Sequence, residues 1–201
     1  QALVEVAQVK PGQTVLIHAG SGGVGSAAVQ LARHLGVKVI STASAKNLEL
    51  VRGFGADTVV DYNAQRFEEV VRDVDAVLDG VGKENVLRSF QCVRPGGIVI
   101  SITDGPDLAF AREFGVSPVL WPVFWLLGAE ANRAARRRGA RYRYLFMRRD
   151  GEQLRQLTAR VEQGVLRPHV DRVFPFSQTR EALEYAETGK ARGKVVVQVV
   201  A

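Results

Sequence analysis

Thr14-Val-Leu-Ile-His-Ala-Gly-Ser-Gly-Gly-Val-Gly-Ser-Ala-Ala-Val-Gln-Leu-Ala-Arg33 is the stretch whose reading decides the fold. Val15 to Ile17 is a short apolar run that reads as a buried strand. The text breaks at Gly20-Ser21-Gly22-Gly23-Val24-Gly25, and Ala28, Leu31, Ala32 and Leu35 then recur at helical spacing. Glycines 20, 22 and 25 match G-x-G-x-x-G with a strand before and a helix after, the context the pattern requires. Gly20 permits the tight turn, Gly22 lets backbone approach a pyrophosphate, and Gly25 lets helix and strand close together. Amides at the helix start, aided by the helix dipole, would hold the phosphates. The bland alternative is a glycine-rich turn that binds nothing.

Working outward, residues 37–42, 58–61, 75–78 and 98–102 read as four further strands. Helices are expected over 1–9, 44–54, 67–72 and 84–93. Five strands alternating with helices predict an α/β fold, a doubly wound parallel (Rossmann) sheet with helices on both faces. From 105 to 140 the alternation lapses. A sixth strand is then expected over 142–147 and a helix over 151–163, followed past Pro168 by strand-like 170–174, helical 179–187 and strand-like 194–200. This divides the chain into a cofactor-binding domain, 1–164, and a C-terminal segment, 165–201.

Hydrophobic residues make up 46% of the chain and charged ones 24%, ordinary values for a globular protein. A lone cysteine, Cys92, rules out an internal disulfide framework and suits a reducing cytoplasm. No apolar run reaches spanning length. The net charge of +6 is local: eight arginines crowd 131–149 without an acid, and removing them from the 27 basic residues leaves 19 against 21 acidic. It therefore does not describe a nucleic-acid footprint of the whole chain. The chain opens at Gln1, which suggests a fragment or a processed chain.

The residue that reads the adenosine ribose of a dinucleotide is expected at the end of the second strand. That strand runs into Ser41-Thr-Ala-Ser44-Ala-Lys46 and has no carboxylate. Without an acid to repel a 2′-phosphate, and with Ser44 and Lys46 able to bind one, the reading is NADP(H) rather than NAD(H). The competing account of Lys46 is a solvated lysine, although a cation is mildly unfavourable at a helix start.

With these residues in hand, the chain resembles the medium-chain dehydrogenase/reductase superfamily and, within it, the quinone-oxidoreductase-like branch. Val9-Lys-Pro-Gly-Gln-Thr14, the glycine turn, Gly55-Ala-Asp57, Asp61-Tyr62 and Arg94-Pro-Gly-Gly97 carry the superfamily likeness. Tyr142-Arg-Tyr144, Gly164-Val-Leu-Arg-Pro168, Phe174-Pro-Phe176 and Lys190-Ala-Arg-Gly-Lys194 carry the branch. The resemblance implies an NADPH-dependent, zinc-independent reductase of quinones or α,β-unsaturated carbonyls, and a homodimer acting on a small electron-poor substrate. It implies that Ser44, Lys46 and Tyr62 hold the 2′-phosphate and that Ser21, Gly22, Gly23, Val24 and Gly25 hold the diphosphate. Gly82, Ser101 and backbone around Leu145 and Met147 would line the nicotinamide end, and Lys190, Ala191 and Arg192 would close over the cofactor. It also implies an N-terminal catalytic domain, missing from this stretch, on which 165–201 would partly pack.

Other residues have plainer readings. His18 reads as a satisfied near-core histidine, His34 as solvated and His169 as a loop residue; their spacing suits no metal. Cys92 reads as a buried thiol in a helix. Asp79 is either turn chemistry or a ribose contact. Residues 116–127, the most apolar stretch, read as a lid or dimer-facing insert, with an anionic membrane surface as the rival. Tyr142, Tyr144 and Phe146 alternate at strand spacing and read as packing rather than as a nucleic-acid platform. Tyr142 is the only candidate proton donor, and a weak one. The rival functional classes are a non-enzymatic NADPH-binding sensor or scaffold and a surface adaptor working through 116–149.

Overall fold

In the computed structural model, β1 (Thr14–Ile17) is the hinge of the architecture. It pairs in parallel with β2 (Lys38–Ala43) on one side and β4 (Val74–Asp79) on the other. Beyond these lie β3 (Thr58–Asp61), β5 (Val93–Ser101) and β6 (Arg141–Tyr144), giving the all-parallel order β3-β2-β1-β4-β5-β6. All residues are described except Asp104, Lys190 and Ala201, and for Lys83 only the backbone.

A parallel sheet needs cover on both faces, so its central strands read as continuous apolar runs. Val15 and Ile17 point into one core with Val29, Ala32, Val39 and Val51; Leu16 points into the other with Phe67, Val77, Phe90 and Val99. The first core is covered by α1 (Gly23–His34) and α2 (Leu48–Gly53). The second is covered by α3 (Phe67–Val70), α4 (Lys83–Ser89) and α6 (Trp121–Arg138), the last through Ala131 and Ala135. A helix α7 (Gly151–Glu162), capped by the Asp150 carboxylate, leads to a separate two-stranded sheet. Its parallel strands β7 (Val170–Pro175) and β8 (Lys194–Gln198) are joined by a later helix (Thr179–Glu187).

Several expectations need correction. The first helix is only a π-helical turn, Ala2–Val6: Gln8 takes a positive φ of 50° and the Val9 N–H closes back on the Leu3 carbonyl. The fourth helix ends at Ser89, so Cys92 lies in the turn before β5, buried but not helical. The sixth strand stops at Tyr144 because its partner β5 stops at Ser101. The irregular-looking 105–140 is substantially helical. Asp107 caps α5 (Leu108–Glu113) by accepting from the Phe110 N–H at 3.0 Å, and α6 runs from Trp121 to a left-handed Gly139. Pro122 sits in the first turn of α6, where its missing N–H costs nothing. Phe110 gathers Phe114, Phe124, Tyr144 and Phe146 into one aromatic cluster, whereas Val119, Trp125 and Leu126 of the apolar stretch stay exposed.

The glycine turn also divides its labour differently. The positive φ falls on Ala19 (54°), not Gly20. Gly20 is required instead by a close approach to the Ser41 hydroxyl, and a Cβ on Gly25 would collide with the Ala19 carbonyl. Gly53, in contrast, has open space around it within α2. Gly25→Ala is therefore expected to cost about 1–3 kcal/mol by overpacking. Gly53→Ala should be neutral or stabilising by up to about 1 kcal/mol, both read from urea unfolding midpoints.

Candidate cofactor site

At the C-terminal edge of β1, β2 and β3 the chain leaves a cleft of about 570 Å³. Its floor is the glycine turn at Ser21 and Gly22; Ser44, Lys46 and Tyr62 form one wall, and Gly189 and Ala191 approach from the segment before β8. Six residues expected to hold a cofactor, Ser21, Gly22, Ser44, Lys46, Tyr62 and Ala191, are thus brought together. Gly20 lies buried under the turn, while Gly23, Val24 and Gly25 form the first turn of α1. The amides of a first helical turn have no intrahelical acceptor and face outward from the helix end. Lys46, exposed in the short turn Ala45–Asn47, makes no ion pair among the described residues.

The residues expected at the nicotinamide end lie along the same sheet edge but outside this cleft. Asp79, Ser101 and Tyr144 are in register on β4, β5 and β6, and the Leu145 N–H donates to the Ser101 carbonyl at 2.8 Å. Gly82 takes φ 143° at the start of α4 and donates its N–H to Asp79 Oδ2 at 3.0 Å. Asp79 is fully buried, so its carboxylate performs the turn chemistry weighed above. Met147 is 73% exposed, past the end of β6, and Arg192 is exposed. Lys190 lies outside the described residues.

Two polar side chains of the cleft escaped the sequence reading. Asn63 follows Tyr62 on the rim. Asn47, only 7% exposed, donates its amide to the hydroxyls of Ser21 and Ser44, both at 3.2 Å, and ties the phosphate turn to the end of β2. A polar residue directly after an expected ligand, at the end of a short turn, was the available signal.

His18 is not poised for acid–base work. Ser89 donates its hydroxyl hydrogen to the Asn85 carbonyl at 2.6 Å, so its oxygen accepts from His18 Nε2–H at 3.0 Å. His18 Nδ1 then accepts from Thr42, whose oxygen accepts the Ala19 N–H at 3.2 Å. The buried ring, beside the Arg88 guanidinium, has its pKa lowered to about 3 and stays neutral. Arg88 meanwhile pairs with buried Glu68 at 2.6 Å and holds that carboxyl down near 2. The chain Ala19–Thr42–His18–Ser89 thus braces the strained first residue of the turn. Tyr142 donates to the Gly105 carbonyl at 2.9 Å and packs edge-on against Phe90, so it too is structural.

A family model described as "Zinc-binding dehydrogenase" matches residues 54–197. The chain belongs to the zinc-binding dehydrogenase family. It is 34% identical over 190 residues to the mitochondrial NAD(P)H oxidoreductase RTN4IP1 of Danio rerio, covering 92% of this chain and 49% of that protein. It is 33% identical to a 2-haloacrylate reductase of Burkholderia sp, covering 94% of this chain and 56% of that one. Among solved structures, the quinone oxidoreductase of Coxiella burnetii superposes with a TM-score of 0.82 at 31% identity, over 98% of this chain and 56% of that one. The chain therefore spans about half the length of these relatives. The fold of this zinc-binding dehydrogenase member is the doubly wound parallel sheet expected from its sequence.

The residues present do not fit the zinc of the family's name. Both His18 nitrogens are engaged, His34 is solvent-facing on α1, and His169 packs edge-on against Phe54. Burial pushes the Cys92 thiol up to about 11. Among the described residues no three His, Cys, Asp or Glu side chains converge to hold a metal ion. Among them, too, no helix is long and apolar enough to cross a membrane.

Acid should loosen this site in two stages. The unfolded chain protonates His18 near 6.5 and the folded chain only near 3, so stability falls as pH drops through that window. Glu68 adds a fall of the same sign between its ordinary 4.5 and about 2. Urea midpoints are expected to decline from pH 6.5 downward, and His18→Gln should flatten the decline above pH 4.5 and make it shallower between 4.5 and about 3, leaving only the Glu68 share below.

Proposed function

We propose that this chain is the NADP(H)-binding part of a medium-chain reductase that passes a hydride to a quinone or an α,β-unsaturated carbonyl. The observation that carries the reading is the wall of the cleft at the end of β2. Ser44, Lys46 and Tyr62 converge there and no carboxylate lines it, so a 2′-phosphate meets hydroxyls and a cation rather than a repelling charge. The names of the relatives support the same direction: an NAD(P)H oxidoreductase, a quinone oxidoreductase and a reductase of haloacrylate, an electron-poor alkene.

NADPH supplies the hydride; this chain's contribution is to bind and orient. The turn from Ser21 to Gly25 offers backbone amides to the diphosphate, and Ser44, Lys46 and Tyr62 fix the adenosine end. Gly82, Ser101, Leu145 and Met147 border the nicotinamide end, with Lys190, Ala191 and Arg192 over the cofactor. Holding the hydride donor against the acceptor carbon converts a bimolecular encounter into an oriented one. None of this chain's described side chains is assigned as proton donor, and none as a zinc ligand. Residues 1–164 form the cofactor domain in this reading, and 165–201 return toward a further catalytic domain. The protein is a cytoplasmic homodimer.

Titration calorimetry with NADPH and NADH tests the reading. The chain should prefer NADPH, and Lys46→Ala should weaken NADPH about tenfold while leaving NADH nearly unchanged. Equal affinity for the two coenzymes, surviving that substitution, would refute it.

A further inference from the structure

The glycine turn contains no basic residue from Gly20 to Ser26. A helix N-terminus presents only about half an elementary charge, less than a diphosphate carries. Another part of the fold brings a cation to this end of α1. Lys194, the first residue of β8, lays its side chain over Gly23. A Cβ on Gly23 would lie 2.8 Å from Lys194 Nζ and 2.9 Å from its Cε. This ammonium has no hydrogen bond or ion pair among the described residues, and it rests at the positive end of the twelve-residue α1, where a lone cation is unfavourable. A second group at the cleft is equally unanswered. Asn47, 7% exposed and lining the same cleft beside Ser21, has an amide oxygen with no partner among the described residues.

We infer that Lys194 is the cation that neutralises the dinucleotide's diphosphate. The inference rests on the coenzyme reading of the cleft and extends it. It gives Gly23, which the G-x-G-x-x-G pattern leaves free, a reason to be glycine: its bare Cα makes room for the lysine stem. It also separates two charges by task. Lys46 faces a phosphate that only NADPH has, whereas Lys194 faces a group common to NADPH, NADH and ADP-ribose. One lysine discriminates; the other binds without discriminating. Because Lys194 sits on β8 and its N–H donates to the His169 carbonyl at 2.8 Å, the same contact would fasten the small sheet to the bound anion.

Calorimetry on the intact chain with NADPH, NADH and ADP-ribose distinguishes the possibilities. Lys194→Met should weaken all three by a common factor of about ten or more, and Lys194→Arg should restore most of the loss. Gly23→Ala, which displaces the ammonium without removing it, should also weaken all three. Circular dichroism and urea midpoints verify that each variant is folded, and Gly23→Ala and Lys194→Arg carry the test if Lys194→Met is not. Undiminished binding of all three ligands by Lys194→Met, with Lys46→Ala still selective against NADPH, would overturn the role of Lys194 and leave the coenzyme reading standing. Failure of the unsubstituted chain to bind any of the three would remove both.

Discussion

Gly25 leaves no room for a Cβ beside the carbonyl of Ala19, and much of the molecule follows from that close approach. The approach lets α1 lie close enough to β1 for Ala28, Val29 and Ala32 to seal one face of the sheet. The same proximity points the first turn of α1 at the sheet's C-terminal edge. Stability and binding are therefore written in one place. A side chain at Gly25 would disturb both the core beneath and the amides above.

The strain of the turn is held by neighbours rather than by glycine. Ala19 keeps its left-handed φ because Thr42 receives its N–H, and Thr42 is in turn held by a neutral His18. The price of burying an imidazole is met by two hydrogen bonds and by an edge-on contact with Phe67. Below it, Glu68 and Arg88 form an ion pair whose carboxylate is almost wholly buried, with Arg66 as a second donor. Polar groups thus run continuously from the turn to α4, each with a partner.

What was legible in the sequence was what repeats locally. Val15 to Ile17, the glycines and the helical spacing of α1 each constrain their own neighbourhood, so β1, α1 and the doubly wound parallel class could be read directly. Residues Ser44 and Lys46 were legible because the ribose reader is expected at the end of the second strand, whereas Tyr62, at the end of the neighbouring strand, was reached only through the family resemblance. Residues 105–140 resisted because Pro118, Pro122 and a run of large apolar side chains mask the periodicity of α6, whose buried residues are merely Gly128, Ala131 and Ala135. Gly20 misled for a different cause: its need is a contact with Ser41 on the neighbouring strand, which no local pattern encodes. The meeting of Gly23 with Lys194 was invisible for the same reason, since it joins the first helix to the last strand.

At the far side of the sheet, β6 pairs with β5 and has no strand on its other flank among the described residues. An open flank is a template on which foreign strands can grow into aggregates. Here that template is four residues long and alternates Arg141 and Arg143 with two tyrosines. Any newcomer must tolerate the positive charge and match a very brief register. Brevity and charge together make this flank a poor template for promiscuous cross-β growth.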